Sequence, residues 1–123
     1  MKTVAGVLMI ANALLFFFGS VQHAGVVIGP FREPLIIPAT IVESLCGLCL
    51  LGGAISLFHS TRGRTALIAN FIALGGVLLG MVALALGAGP RTASNDLYHR
   101  IMLTLIGAAV VILLFGRQRF TQH

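Results

Sequence analysis

Residues 35–58 read LIIPATIVESLCGLCLLGGAISLF. This run contains one acidic side chain, Glu43, and no Lys or Arg. Crossing a hydrocarbon core of ~30 Å takes about 20 helical residues. Lipid offers no partner to an exposed backbone amide, so a span of this length must be a helix. The stretch therefore reads as a transmembrane helix that carries one carboxyl group inside the membrane.

Three further apolar stretches, residues 4–22, 65–86 and 97–115, are long enough to do the same. The rest of the 123-residue chain leaves no room for a second domain. Hydrophobic residues make up 58% of it and charged residues 9%, with a mean hydropathy of +1.03. A soluble domain carries about 25% charged residues. Eight basic and three acidic side chains could not cover a water-facing surface. A small soluble enzyme, a nucleic-acid-binding domain and a disordered tail are excluded, and nucleic acid is not an expected partner. The expected fold is all-α: one domain, an integral membrane bundle of four transmembrane helices. An outer-membrane barrel would need alternating strands of about 10 residues, and none is visible.

Met1-Lys2 and the apolar run after it open like a signal peptide. Ser20-Val21-Gln22-His23-Ala24 places Gln22 where a small residue would precede cleavage, so an uncleaved first helix is expected. Between the first two helices, AGVVIGPF (residues 24–31) is apolar but broken by Gly25, Gly29 and Pro30. It is expected at the membrane surface or dipping back against the bundle. Pro34 and Pro38 suit the opening turn of the second helix. HSTRGR (residues 59–64) reads as a tight polar turn, and residues 87–90 end the third helix. Thr92 or Ser94 can cap the fourth, with Asp96 favourable near its N-terminus, and Gly116 is expected to stop it.

Lys and Arg counts set the orientation. One side holds Lys2, Arg62, Arg64, Arg117 and Arg119; the other holds Arg32, Arg91 and Arg100. Five against three favours a bacterial-type inner membrane topology with both termini cytoplasmic. The outer side then carries most of the polar chemistry: His23, Arg32, Glu33, Arg91, Asn95, Asp96, Tyr98, His99 and Arg100. The plain expectation for the charged members is interfacial pairing, Arg91 or Arg100 with Asp96 and Arg32 with Glu33. Tyr98 reads as an interfacial aromatic.

Glu43 stands apart. Nine residues past Pro34, it lies about 13 Å into the helix, or less if the helix starts at Pro38. A carboxyl group at that depth faces the bundle, pairs with a cation or takes a proton. Structural glue and a ligand, proton or quinone contact both remain open readings. Asn12 and His23 share one helical face, and His23 is the expected partner of Glu43. His99, opening the fourth helix on the same side, completes an expected pocket of Glu43, His23 and His99. Cys46 and Gly53 lie on the Glu43 stripe, which suits a helix interface.

Cys46-Gly47-Leu48-Cys49 is a CxxC inside an apolar helix with no base or second cysteine pair beside it. Thiol redox chemistry needs an activated thiolate and a resolving partner. A metal would need further ligands, and no metal site is expected. Both cysteines read as small hydrophobes. Gly76-Val77-Leu78-Leu79-Gly80 is a GxxxG, which serves packing within the bundle or a homodimer equally.

IVESLCGLCLLGGAISLFHST (residues 41–61), with an Arg-containing turn and an apolar third helix after it, resembles the DoxX-like membrane proteins. Those pair an acidic residue in the second of four helices with a G-x-x-L-x-x-G stretch, here Glu43 followed by Gly47, Leu50 and Gly53. Residues 18–23 (FGSVQH) are similar to the end of that family's first span. The resemblance covers about half the chain and does not extend to the entry of the fourth helix. It implies a small inner-membrane accessory or anchor subunit linked to thiol, sulfur or quinone redox chemistry, as a homo-oligomer or within a membrane complex. The alternative is a small transport or ligand-binding protein that uses the outer polar pocket. Whether the chain is an enzyme stays open.

Overall fold

The computed structural model describes residues 1–59 and 63–118. Four helices run in chain order: α1 (Lys2–His23), α2 (Ile37–His59), α3 (Arg64–Ala85) and α4 (Ala93–Gln118). Each is long and apolar enough to cross a membrane, and the protein is a multi-pass membrane bundle of four transmembrane helices. Helices α1 and α3 each pack against both α2 and α4, with α1 and α2 the most extensive pair. Both ends of the described chain thus lie at one end of the bundle. The opposite, distal end holds the close of α1 and α3 and the start of α2 and α4.

One buried stripe per helix builds the core. It runs through Ala5, Met9, Ala13 and Phe16 in α1 and through Cys46, Leu50, Ala54 and Leu57 in α2. Ala66, Ala69, Ala73 and Val77 form it in α3, and Met102, Ile106, Ala109 and Leu113 in α4. Steps of three and four residues keep each stripe on one face. Lipid is as apolar as the core, so close packing rather than exclusion of water holds the helices together. Glycine makes the approach possible where a Cβ would clash. At Gly6 it would meet the Phe58 ring, at Gly47 the Phe17 ring, and at Gly53 the side chains of Ala69 and Met9.

Helix ends depart from the sequence-based bounds in instructive ways. Helix α2 starts at Ile37 rather than 35, with Pro38 in its first turn and Pro34 outside it. Pro38 loses nothing there, since first-turn N–H groups have no intrahelical partner, and Thr40 N–H donates to the Ile36 carbonyl at 3.1 Å where the helix begins. Glu43 is consequently six residues in, about 9 Å rather than 13 Å. Helix α4 starts at Ala93 rather than 97, because Asn95 N–H donates to Thr92 Oγ1 at 3.1 Å and caps a polar first turn. Gly116 does not stop this helix, which continues to Gln118. A glycine ends a helix when it turns left-handed, and Gly87, at φ +85°, does so after α3. The turn expected at residues 59–64 falls partly outside the described residues, as does Arg119.

The α1–α2 connection lies at the surface and does not dip among the helices. Gly25 and Gly29 adopt positive φ, and Phe31 N–H donates to the Ile28 carbonyl at 3.1 Å. The Phe31 ring meets Phe18 edge-on at 5.9 Å. Ile36 N–H donates to the His23 carbonyl at 3.0 Å, tying the start of α2 to the end of α1.

Candidate functional site: a cavity with a polar wall

Toward the distal end the inward stripes change chemistry. Continuing α1 by helical steps from Phe16 reaches Ser20 and His23; moving up α2 from Leu50 reaches Cys46 and Glu43. The α4 stripe leads from Met102 back to His99 and Asn95. All five polar side chains among these are buried. Helix α3 brings Gly76 and Gly80 to this level, with Val77, Leu79, Ala83 and Leu84 beside them. The result is a half-open cavity of about 530 Å³, lined by His23, Glu43, Asn95 and His99 and by apolar side chains from every helix.

Glycines of α3 shape this space. A Cβ at Gly76 would collide with Cys46 Sγ, and one at Gly80 would stand 3.2 Å from His99 Nε2. The GxxxG of α3 therefore faces α2 and α4 within the bundle.

Glu43 is held from two sides. His23 Nε2 lies 3.9 Å from Glu43 Oε1, and the Tyr98 hydroxyl lies 3.4 Å from the same oxygen. Tyr98 O–H also donates to the Leu15 carbonyl at 2.7 Å. Tyr98, half-buried, thus bridges α1, α2 and α4. Its neighbour His99 sits about 100° further round the helix, so one faces the α1–α2 junction while the other faces the cavity. Gly19 opens the slot: a Cβ there would collide with the Tyr98 hydroxyl and stand 2.8 Å from Glu43 Oε1. Neither the Tyr98 role nor that of Gly19 was visible in the sequence reading. Gly19 at four residues before His23, on the same inward face, was the available signal.

The two histidine tautomers follow from backbone partners. His23 Nδ1 faces the Pro34 carbonyl at 3.2 Å, and His99 Nδ1 faces the Asn95 carbonyl at 2.9 Å. A carbonyl only accepts, so Nδ1 carries the proton in each ring. In the neutral rings Nε2 is the acceptor, directed at Glu43 from His23 and toward Gly80 from His99. The 3.9 Å between His23 Nε2 and Glu43 Oε1 is an ion-pair distance, longer than a hydrogen bond. Beside them Ser20 Oγ donates to the Thr40 carbonyl at 2.9 Å and lies 2.6 Å from Ser44 Oγ, joining α1 to α2.

The outer polar cluster divides. Asn95 and His99 turn into the cavity and Tyr98 supports it, while Arg32, Arg91 and Arg100 are exposed. Arg91 Nε donates to both carboxylate oxygens of Asp96, at 3.1 and 3.2 Å, away from the cavity. The pairing expected of Arg32 with Glu33 is not formed among the described residues, and Glu33 Oε2 is buried without a partner. Cys46 and Cys49 are free thiols. Cys46 Sγ approaches the Ile72 carbonyl at 3.9 Å. Among the described residues, no group of three or more His, Cys, Asp and Glu side chains could hold a metal ion.

Comparison of the chain with family models, with curated proteins and with solved structures finds no significant match.

Proposed function

We propose that this protein binds a lipid-soluble small molecule in the distal cavity, in a bacterial-type inner membrane with both termini in the cytoplasm. The observation that carries this reading is a cavity of about 530 Å³ between the distal halves of four apolar helices, with four buried polar residues in its lining. Ligand pockets are typically concave, mostly apolar and furnished with a few convergent polar groups. A bundle selected only for packing would fill such a space with Leu or Phe. The five-to-three distribution of Lys and Arg supports the orientation. Purification from native membranes into lipid nanodiscs, then organic extraction and mass spectrometry, tests the reading. A lipophilic molecule should be recovered in stoichiometric amount with the wild type and depleted with Gly80→Leu. Equal recovery of general lipid from both would overturn it.

A second reading has its own support. Val26, Val27 and Phe31 in the α1–α2 connection are exposed at the distal end, as a surface for a membrane-bound partner would be. This fits an accessory or anchor subunit of a complex, and the resemblance of residues 41–61 to DoxX-like proteins adds thiol, sulfur or quinone redox chemistry as its setting. Cross-linking from position 27 in native membranes tests it. Capture of a defined protein favours the subunit, and cross-links to lipid alone count against it.

A further inference from the structure

We infer the class of molecule that the cavity takes: an uncharged single-chain amphiphile whose head sets a hydrogen-bond acceptor beside a donor, as a primary carboxamide does, and whose apolar tail leaves between α2 and α3. This rests on the ligand-binding reading above, to which it adds the head, the tail and the way in.

The head is read from one face of α4. Asn95 and His99 are four residues apart, so their side chains stand one above the other, and both line the cavity. His99 Nδ1 is committed to the Asn95 carbonyl, which leaves Nε2 of the neutral ring an acceptor. The Asn95 side-chain amide is divided. Its Oδ1 is sealed inside the protein, whereas its Nδ2, like His99 Nε2, keeps accessible surface. No hydrogen bond among the described residues uses either nitrogen. Helix α4 thus offers the cavity one N–H donor and, a turn further on, one acceptor. A carboxamide matches both, its oxygen accepting from Asn95 Nδ2 and its N–H donating to His99 Nε2. A head that only accepts leaves the histidine nitrogen unpaired, and one that only donates leaves the Asn95 N–H unpaired. Each unmade bond costs affinity. No Lys or Arg is among the described lining residues, so nothing there neutralises a phosphate or carboxylate head. Glu43 points Oε1 at His23 and Tyr98 and Oε2 into the protein, so its carboxyl group serves the bundle.

The tail follows from the wall between α2 and α3. Leu35, Ile37 and Leu79 line the cavity yet are 64%, 54% and 58% exposed. Side chains that border both the cavity and the outside mark its opening. All three are apolar, and the helices on either side are spans that meet lipid. A Cβ on Gly80, next to Leu79, would stand 3.2 Å from His99 Nε2. The glycine therefore keeps the way from this opening to the head contacts clear.

Thermal unfolding of the full chain in phosphatidylcholine nanodiscs, titrated with dodecanamide, N,N-dimethyldodecanamide, dodecylamine and acetamide, tests the assignment. Dodecanamide should raise the melting temperature saturably. Its dimethyl form, which keeps the acceptor and the tail but has no donor, should bind at least tenfold more weakly. Dodecylamine, whose protonated head only donates, should be weaker by a similar factor. Acetamide, without the tail, should give no shift at the same concentration. His99→Phe should bring dodecanamide down to the affinity of its dimethyl form and leave the dimethyl form unchanged; the probe comparison stands without this variant should it fail to fold. A dimethyl form as effective as dodecanamide would overturn the contact to His99, as would a folded His99→Phe that binds dodecanamide like the wild type. Dodecylamine as effective as dodecanamide would overturn the contact to Asn95, and acetamide as effective would overturn the tail. No shift with any probe, while a lipophilic molecule still co-purifies, would overturn this inference alone; no shift and no co-purifying molecule would overturn the ligand-binding reading with it.

Discussion

The backbone of Gly19 in α1 lies so close to the Tyr98 hydroxyl of α4 that a side chain on residue 19 would occupy the same space. That contact lets Tyr98 reach across to the Leu15 carbonyl and to Glu43. It makes the α1–α4 seam and the position of Glu43 depend on one missing methyl group.

Gly19→Ala should therefore destabilise the bundle by about 1–3 kcal/mol, the usual cost of overpacking. Gly52→Ala is the control, since a Cβ at Gly52 meets nothing within 4 Å. It should be neutral or slightly stabilising, because Ala favours helix over Gly by up to about 1 kcal/mol. Unfolding of both variants in mixed detergent micelles measures the difference. Equal stability of the two would show that Tyr98 is not held against α1.

Glu43→Gln and Glu43→Leu separate the roles of the carboxyl group. Gln keeps an acceptor within reach of Tyr98, so the fold should survive within about 1 kcal/mol. Leu leaves polar neighbours unpaired and should cost roughly 1–3 kcal/mol. If a biological phenotype is lost in Glu43→Gln while the melting temperature holds, Glu43 does proton or ligand chemistry. If the phenotype persists, it is glue between helices.

The double replacement Cys46→Ala, Cys49→Ala should leave ligand co-purification intact. Cys46 fills space against Gly76, so a loss of about 1 kcal/mol is expected from the small void. Wild-type protein levels with a lost redox phenotype would instead make the thiols functional.

Reporter fusions at His123 and within residues 88–94 should place the carboxyl terminus in the cytoplasm and the α3–α4 connection outside. The reverse pattern would put the cavity mouth at the cytoplasmic face and turn the Lys and Arg distribution against its usual rule.

Much of the architecture was already present in local chemistry. Apolar length alone implies four spans, because no other structure satisfies backbone amides in lipid. The α2 start moved to Ile37 and the α4 start to Ala93, since apolar runs do not report capping. The Ile36 carbonyl and the Thr92 hydroxyl mark those ends, each accepting one backbone N–H. Glu43 drew attention for the same elementary reason: an ionisable group at membrane depth must find partners.

Which partners it found was a matter of tertiary structure. His23 meets Glu43 because Ile36 N–H ties the start of α2 to the end of α1. Tyr98 meets it because Gly19 lets α4 approach, whereas Arg91 and Asp96, five residues apart, settle with one another at the surface. A charged pair near in sequence closes locally, at little entropic cost. A contact between residues 43 and 98 exists only after four helices have packed. Composition and span length by themselves determined a four-helix membrane bundle with a carboxyl group inside it. The cavity and the polar side chains that line it came only from packing, because empty space is set by which side chains fail to meet.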